Sequence, residues 1–170
     1  MIAARPYLCR SLGAVALACA VVVGLAGCGK DEFADKTARV TIGGRTTTYT
    51  VDSCGLDDRT AFIVGRTDGG SVLQAVVGVQ ADRKTGVADS TGLSVIDDGV
   101  ELAAFGDESW ERRSMTGPAP GAVTSSKIRG SRIQAAGKVV AVAADGTITS
   151  PSDEGSAFTL DARCDAAEQD

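Results

Sequence analysis

The chain contains neither histidine nor asparagine. Without His there is no ordinary Ser/His/Asp or Cys/His catalytic group and no imidazole ligand for a metal. Without Asn there is no acceptor for N-glycosylation. No GxSxG, P-loop or dinucleotide fingerprint is present either. Positive charge is short as well: 17 Lys and Arg stand against 22 Asp and Glu. An acidic surface repels phosphates, which argues against nucleic acid as a partner. Aromatic residues are scarce, whereas Ala, Gly, Val and Asp are abundant.

Acidic residues are missing altogether from the first 27 positions, where Arg5 and Arg10 precede an uncharged run of 17 residues from Ser11 to Gly27. This is the layout of an export signal, a basic n-region followed by an apolar h-region. The run is short for a permanent transmembrane helix and no basic anchor follows it. It is expected to be removed.

At its end stand Leu25, Ala26, Gly27 and Cys28, which resemble the lipobox of bacterial lipoprotein precursors. The resemblance implies that the Cys28 thiol receives a diacylglyceryl group, with palmitate among the acyl chains. A peptidase whose cleft admits only small side chains then cuts between Gly27 and Cys28. One acyl chain binds a bilayer marginally, at about 0.8 kcal/mol per buried methylene, and two or more anchor it stably. The expected product loses 27 of 170 residues and keeps 143, enough for one core but not two. It would sit on the extracytoplasmic face of the cell membrane with a formal charge of −7, since only bases are lost. The alternative is a plain secretory signal in which Cys28 is incidental.

Of the five cysteines, Cys9 and Cys19 fall in the discarded segment and Cys28 is assigned to lipid. The remaining pair, Cys54 and Cys164, predicts a disulfide in an oxidising compartment. It would close a loop of 111 residues, Cys54 to Cys164 inclusive, for which the chain-entropy estimate is about 4.7 kcal/mol. A redox or metal pair is the rival reading, but no CxxC spacing, His or third cysteine supports it. No cofactor or metal is expected.

The mature chain divides into the lipidated cysteine with a short polar tether (28–37), a β-rich domain (38–164) and a disordered acidic tail (165–170). At about 3.3 to 3.6 Å per residue the tether spans roughly 30 Å, so the domain stays near the membrane. Within the domain, short β-branched runs alternate with Gly and Asp turns, the pattern of an antiparallel all-β fold. Val40 to Ile42 leads through Gly43-Gly44 into Thr46 to Val51, and Leu93 to Ile96 leads through Asp97-Asp98-Gly99 into Val100 to Phe105. Further strands are expected over Thr60 to Val64, Val72 to Val79 and Lys138 to Ala144. Val72, Val76 and Val79 would also suit a helical face, although the valines after Ala75 favour a strand. The last strand alternates most clearly, with Phe158, Leu160, Ala162 and Cys164 on one face. If Cys54 is also to point inward after Tyr49 and Val51, a bulge or turn is required near Ser53. Asp107 to Ser126 reads as a long excursion carrying Trp110, Pro118 and Pro120. The predicted fold is mainly β, one small antiparallel sandwich or partly open barrel.

With these elements placed, the chain resembles the mycobacterial nineteen-kilodalton lipoprotein antigen family over most of residues 39–164. The likeness rests on VTIGG before a strand and Cys54, on DGVELAAF at 98–105, on IRGSRIQAAGKVVAV at 128–142 and on FTLDARC at 158–164. It implies a β-rich, disulfide-bonded surface antigen of the cell envelope, displayed to a host through its lipid and without established catalysis. Members often carry a long Ser/Thr-rich glycosylated tether; here only Thr37 stands in it. The surroundings of Trp110 also depart from the pattern.

Three function classes follow. The first is a non-enzymatic envelope lipoprotein, and in a sharper form it carries an apolar envelope lipid between strands rich in Val and Ala, at Val72 to Val79 and Val139 to Ala144. Those residues equally suit a packed core. The second is an adhesion or partner-binding module, a host receptor being one partner, in which Trp110 makes contact inside a polar rim of Glu108, Glu111, Arg112 and Arg113. A core or lid residue is the alternative for that Trp. The third is an enzyme using Asp57-Asp58 or Asp97-Asp98, but neighbours on a strand face opposite ways and both pairs read as turns.

Overall fold

A computed structural model describes residues 34–113, 117–143, 147–149 and 155–165. The export segment, the lipobox and residues 166–170 of the expected tail lie outside them.

Among the described residues nine strands and one short helix follow in the order β1 (Thr37–Ile42), β2 (Arg45–Asp57), β3 (Thr60–Arg66), β4 (Val72–Val79), β5 (Gly86–Asp97), β6 (Val100–Phe105), α1 (Asp107–Arg112), β7 (Ala122–Arg129), β8 (Arg132–Val142) and β9 (Ser156–Arg163). All pairings are antiparallel, in the order β6-β5-β4-β3-β2-β1-β9-β8. The far half of β8 returns to β6, Val140 to Val142 lying against Glu101 to Ala103. The sheet thereby closes into an eight-stranded barrel, and closure removes the free strand edges that an open sheet would expose. β7 stands outside this ring, hydrogen-bonded to the first half of β8. Of the two architectures expected, the barrel is the one adopted, and it is closed.

The hairpins form where turn chemistry allows. Gly43 and Gly44 have φ of 56° and 85°, and Asp98 and Gly99 have φ of 49° and 77°. Positive φ at both central residues matches the twist of the flanking strands, and Gly or Asp tolerates it at least cost. The β1–β2 and β5–β6 hairpins are therefore where the sequence predicts them. β2 runs to Asp57, six residues beyond Val51, and carries a register shift between Val51 and Ser53. This is the bulge that Cys54 requires: Tyr49, Val51 and Cys54 are all buried. The first strand begins one residue before the expected domain boundary, since Thr37 already pairs with Thr50 and Arg163. The stretch from Asp107 to Ser126 is not structureless: it contains α1 and the first half of β7.

The barrel interior is filled by alternate side chains, among them Val40, Tyr49, Ile63, Leu73, Leu93, Phe158 and Leu160. Fully burying a Val, Leu, Ile or Phe contributes about 1.5 to 3 kcal/mol, so this one cluster supplies the main drive to fold. Val72 to Val79 is a strand, with Leu73, Ala75, Val77 and Val79 directed inward. Val139 joins the same core. These runs pack the barrel. A second cluster lies on the outside: Ala103, Phe105, Val140 and Val142 are covered by Trp110. Among the described residues every buried side chain falls between Ala38 and Cys164, and Glu32–Asp170 forms a compact unit of its own. That unit carries its own hydrophobic core, as a domain able to fold alone requires.

Candidate functional site

The strand registers bring five segments to one end of the barrel: the entering chain at Lys36 and Thr37, the turn at Asp58 and Arg59, the loop from Gln80 to Thr85, the turn at Gly130 and Ser131, and Cys164. Here Cys54 and Cys164 form a disulfide with Cα atoms 5.6 Å apart, inside the ordinary range for a bridge. Cys54 reaches it through the β2 bulge, and Cys164 by continuing the inward face of β9. The adjoining loop is held by Asp82, whose carboxylate accepts hydrogen bonds from the Lys84 and Thr85 amides and the Thr85 hydroxyl. The Thr85 hydroxyl bond, followed by the two amide bonds, holds the Asp82 carboxyl down at about 2. Between this loop and the disulfide a hollow of about 280 Å³ is lined by Leu56, Ala61, Ile128, Ile133 and Cys164, with Arg83 and Lys84 at its rim.

A second apolar opening lies on the outer wall, not between the strands. It measures about 350 Å³ and is floored by outward residues of three neighbouring strands: Phe62 and Val64 on β3, Gln74 and Val76 on β4, Gly92 and Ser94 on β5. Phe105, Ser109, Arg112 and Arg113 form its wall. Gly92 opposes Phe105 across the β5–β6 ladder, and a Cβ at Gly92 would stand 2.3 Å from the Phe105 ring. Only glycine there lets the ring lie down against the sheet.

The helix α1 faces both ways. On one side Trp110 is 7% exposed, its ring centroid 5.2 Å from that of Phe105, and its Nε1 donates to the Gly117 carbonyl at 3.2 Å. The indole is part of the outer cluster and not a surface contact; a partner approaching this region would meet Arg112 and Arg113 instead. On the other side Ser90 and Arg112 both donate to the Glu108 carboxylate. The Ser90 hydroxyl bond, then the Arg112 charge, keep that carboxyl below its ordinary range. The Arg113 guanidinium stands 4.8 Å over the Phe105 ring, where the ring's quadrupole attracts a cation.

The remaining sequence candidates are dispersed. Asp58 and Asp98 occupy turns with positive φ, and Asp97 accepts a hydrogen bond from Ser71. Neither carboxyl pair points into the groove. Among the described residues no cluster of three or more Cys, Asp or Glu is arranged to hold a metal. Leu25, Ala26, Gly27 and Cys28 lie outside the described residues.

Compared with models of protein families and with curated proteins, the chain matches none.

Proposed function

We propose that this chain is a non-enzymatic lipoprotein of the cell envelope, held to the extracytoplasmic face of the membrane by acyl chains on Cys28. The observation that carries the reading is the sequence Leu25-Ala26-Gly27-Cys28 at the end of a charge-free run. The disulfide supports it, because such bridges persist in oxidising compartments outside the cytoplasm. The chain enters the barrel at the end that carries the disulfide, which would set that end towards the bilayer, with the turns at Gly43-Gly44 and Asp98-Gly99 facing away. A surface-antigen role, as the likeness to the nineteen-kilodalton antigens implies, belongs to the same proposal.

The test is the intact mass and detergent partitioning of the membrane-expressed protein beside its Cys28→Ala variant. The expected wild type begins at an acylated Cys28 and enters the detergent phase, while the variant stays in water. A wild type secreted without lipid would overturn the anchor.

A further inference from the structure

We propose that the outer groove over β3, β4 and β5 binds one single-chain amphiphile with an anionic head, the alkyl chain lying on Phe62, Val64 and Val76 and the head meeting Arg112 and Arg113. This goes beyond membrane anchoring and does not depend on it, since an anchored and a released form carry the same groove.

The floor is the first ground. An antiparallel strand in a barrel with a packed interior ordinarily turns polar residues to water. Here β3 and β4 place Phe62, Val64 and Val76 outward, and Val76 is 41% exposed. These side chains stand beside one another in register, Phe62 opposite Val76 and Val64 opposite Gln74, so they form a continuous apolar strip. Gly92 extends it by pairing with Val76 from the other side. The Phe105 ring, laid against Gly92, adds a wall. A volume of about 350 Å³ falls at the lower end of the roughly 300 to 1,000 Å³ of small-ligand sites, which suits one chain and not two.

The charge distribution is the second ground. Arg113 rests on the Phe105 ring and makes no ion pair with a carboxylate among the described residues. Arg112 is shared with Glu108, which also accepts from Ser90, so its guanidinium is held at the mouth. Away from the helix, Ser94 donates to Glu101 at 2.6 Å. At the α1 end Glu108 offsets Arg112 while Arg113 has no carboxylate partner among the described residues, and Glu101 stands beside the other end, so an anionic head is oriented towards Arg113. A second hollow of about 360 Å³ shares Ser90 and Arg112 with the groove and leads towards Arg59 and Gln80. Its lining includes the Glu108 carboxylate, so an anionic head stays on the Arg113 side of the helix. A peptide strand is the poorer occupant. β3, β4 and β5 each have a partner on both sides, leaving no edge for strand addition.

The experiment uses the folded unit from Glu32 to Asp170, freed of lipid, with palmitate, palmitoyl lysophosphatidic acid and hexadecanol as probes below their aggregation concentrations, read by calorimetry and native mass spectrometry. One molecule of an anionic probe per chain is expected, and the tighter of the two identifies carboxylate or phosphate as the preferred head. Val76→Asp puts a charge at an exposed floor position and should abolish binding with the near-ultraviolet circular dichroism unchanged. The Arg112→Ala, Arg113→Ala double variant should weaken the anionic probes by about tenfold or more, the loss typical of a charge-assisted hydrogen bond, and leave hexadecanol unaffected. Absence of saturable binding by either anionic probe would overturn the proposal, as would wild-type affinity in Val76→Asp. Equal affinity for hexadecanol and palmitate would overturn the assignment of the head.

Discussion

Reducing the Cys54–Cys164 bridge is the perturbation whose size follows most directly from the fold. The crosslink joins β2 to the segment after β9 with a sequence separation of 110 residues. In the chain-entropy account a closed loop of that length restrains the unfolded chain by about 4.7 kcal/mol, and native bridges in small secreted domains typically contribute about 2 to 5 kcal/mol. The folded barrel gains little by comparison, because β1 already hydrogen-bonds to both β2 and β9 and holds the two cysteine-bearing segments together. The effect should therefore reside in the unfolded state. Urea unfolding of the Glu32–Asp170 unit, oxidised and reduced, separates the crosslink from packing, since both forms keep the two buried sulfurs. A loss of about 3 to 5 kcal/mol is expected on reduction. The Cys54→Ala, Cys164→Ala double variant should lose somewhat more, because Cys54 and Cys164 are 7% and 2% exposed and truncation leaves a small void. Native-state spectra should be alike in all forms. A reduced protein within about 1 kcal/mol of the oxidised one would refute the reasoning.

Trp110→Ala should cost about 3 to 5 kcal/mol in the same assay, the range for emptying a buried aromatic site, because the indole packs on Ala103, Phe105, Val140 and Val142; a loss below about 1 kcal/mol would place the ring outside the core. Acid should weaken the fold through Asp161, whose carboxyl is held below its ordinary value first by hydrogen bonding from Arg132, at 2.8 and 2.6 Å. A depressed folded pKa means its contribution is present above the unfolded value near 3.9 and is lost as pH falls through the folded one. With both partners about a third exposed, the pair contributes about 1 kcal/mol or less. Asp161→Asn should remove that much at pH 6 and progressively less as pH falls below the unfolded value near 3.9; a loss independent of pH would assign it to packing.

The parts of this fold that are legible in the sequence are those where one rule acts alone. β9 has one buried and one wet face, so Phe158, Leu160 and Ala162 alternate with Thr159, Asp161 and Arg163, and the strand and its inward Cys164 can be read directly. The need for a bulge before Cys54 follows from the same two-residue period. In β4 two demands overlap: Leu73, Ala75, Val77 and Val79 fill the interior while Val76 lies on the groove floor, so apolar residues appear on both faces and imitate a helical stripe. α1 is only six residues long, too short to show a period. β7 is hidden because its register shifts between Val123 and Ser125, which breaks the alternation where the strand begins. Barrel closure rests on three residue pairs between β6 and β8, elements some forty positions apart with no local signature. The groove is less local still, since its lining comes from four strands and a helix. One trace of it was open to reading: an antiparallel run such as TAFIVGR, apolar on both faces, has a second face that something other than water must meet. In this barrel α1 covers the outer wall over β6 and β8 with Trp110, while Val76 over β3 to β5 is left bare beside two arginines, and that difference between neighbouring parts of one wall is what marks the groove as a place for a ligand.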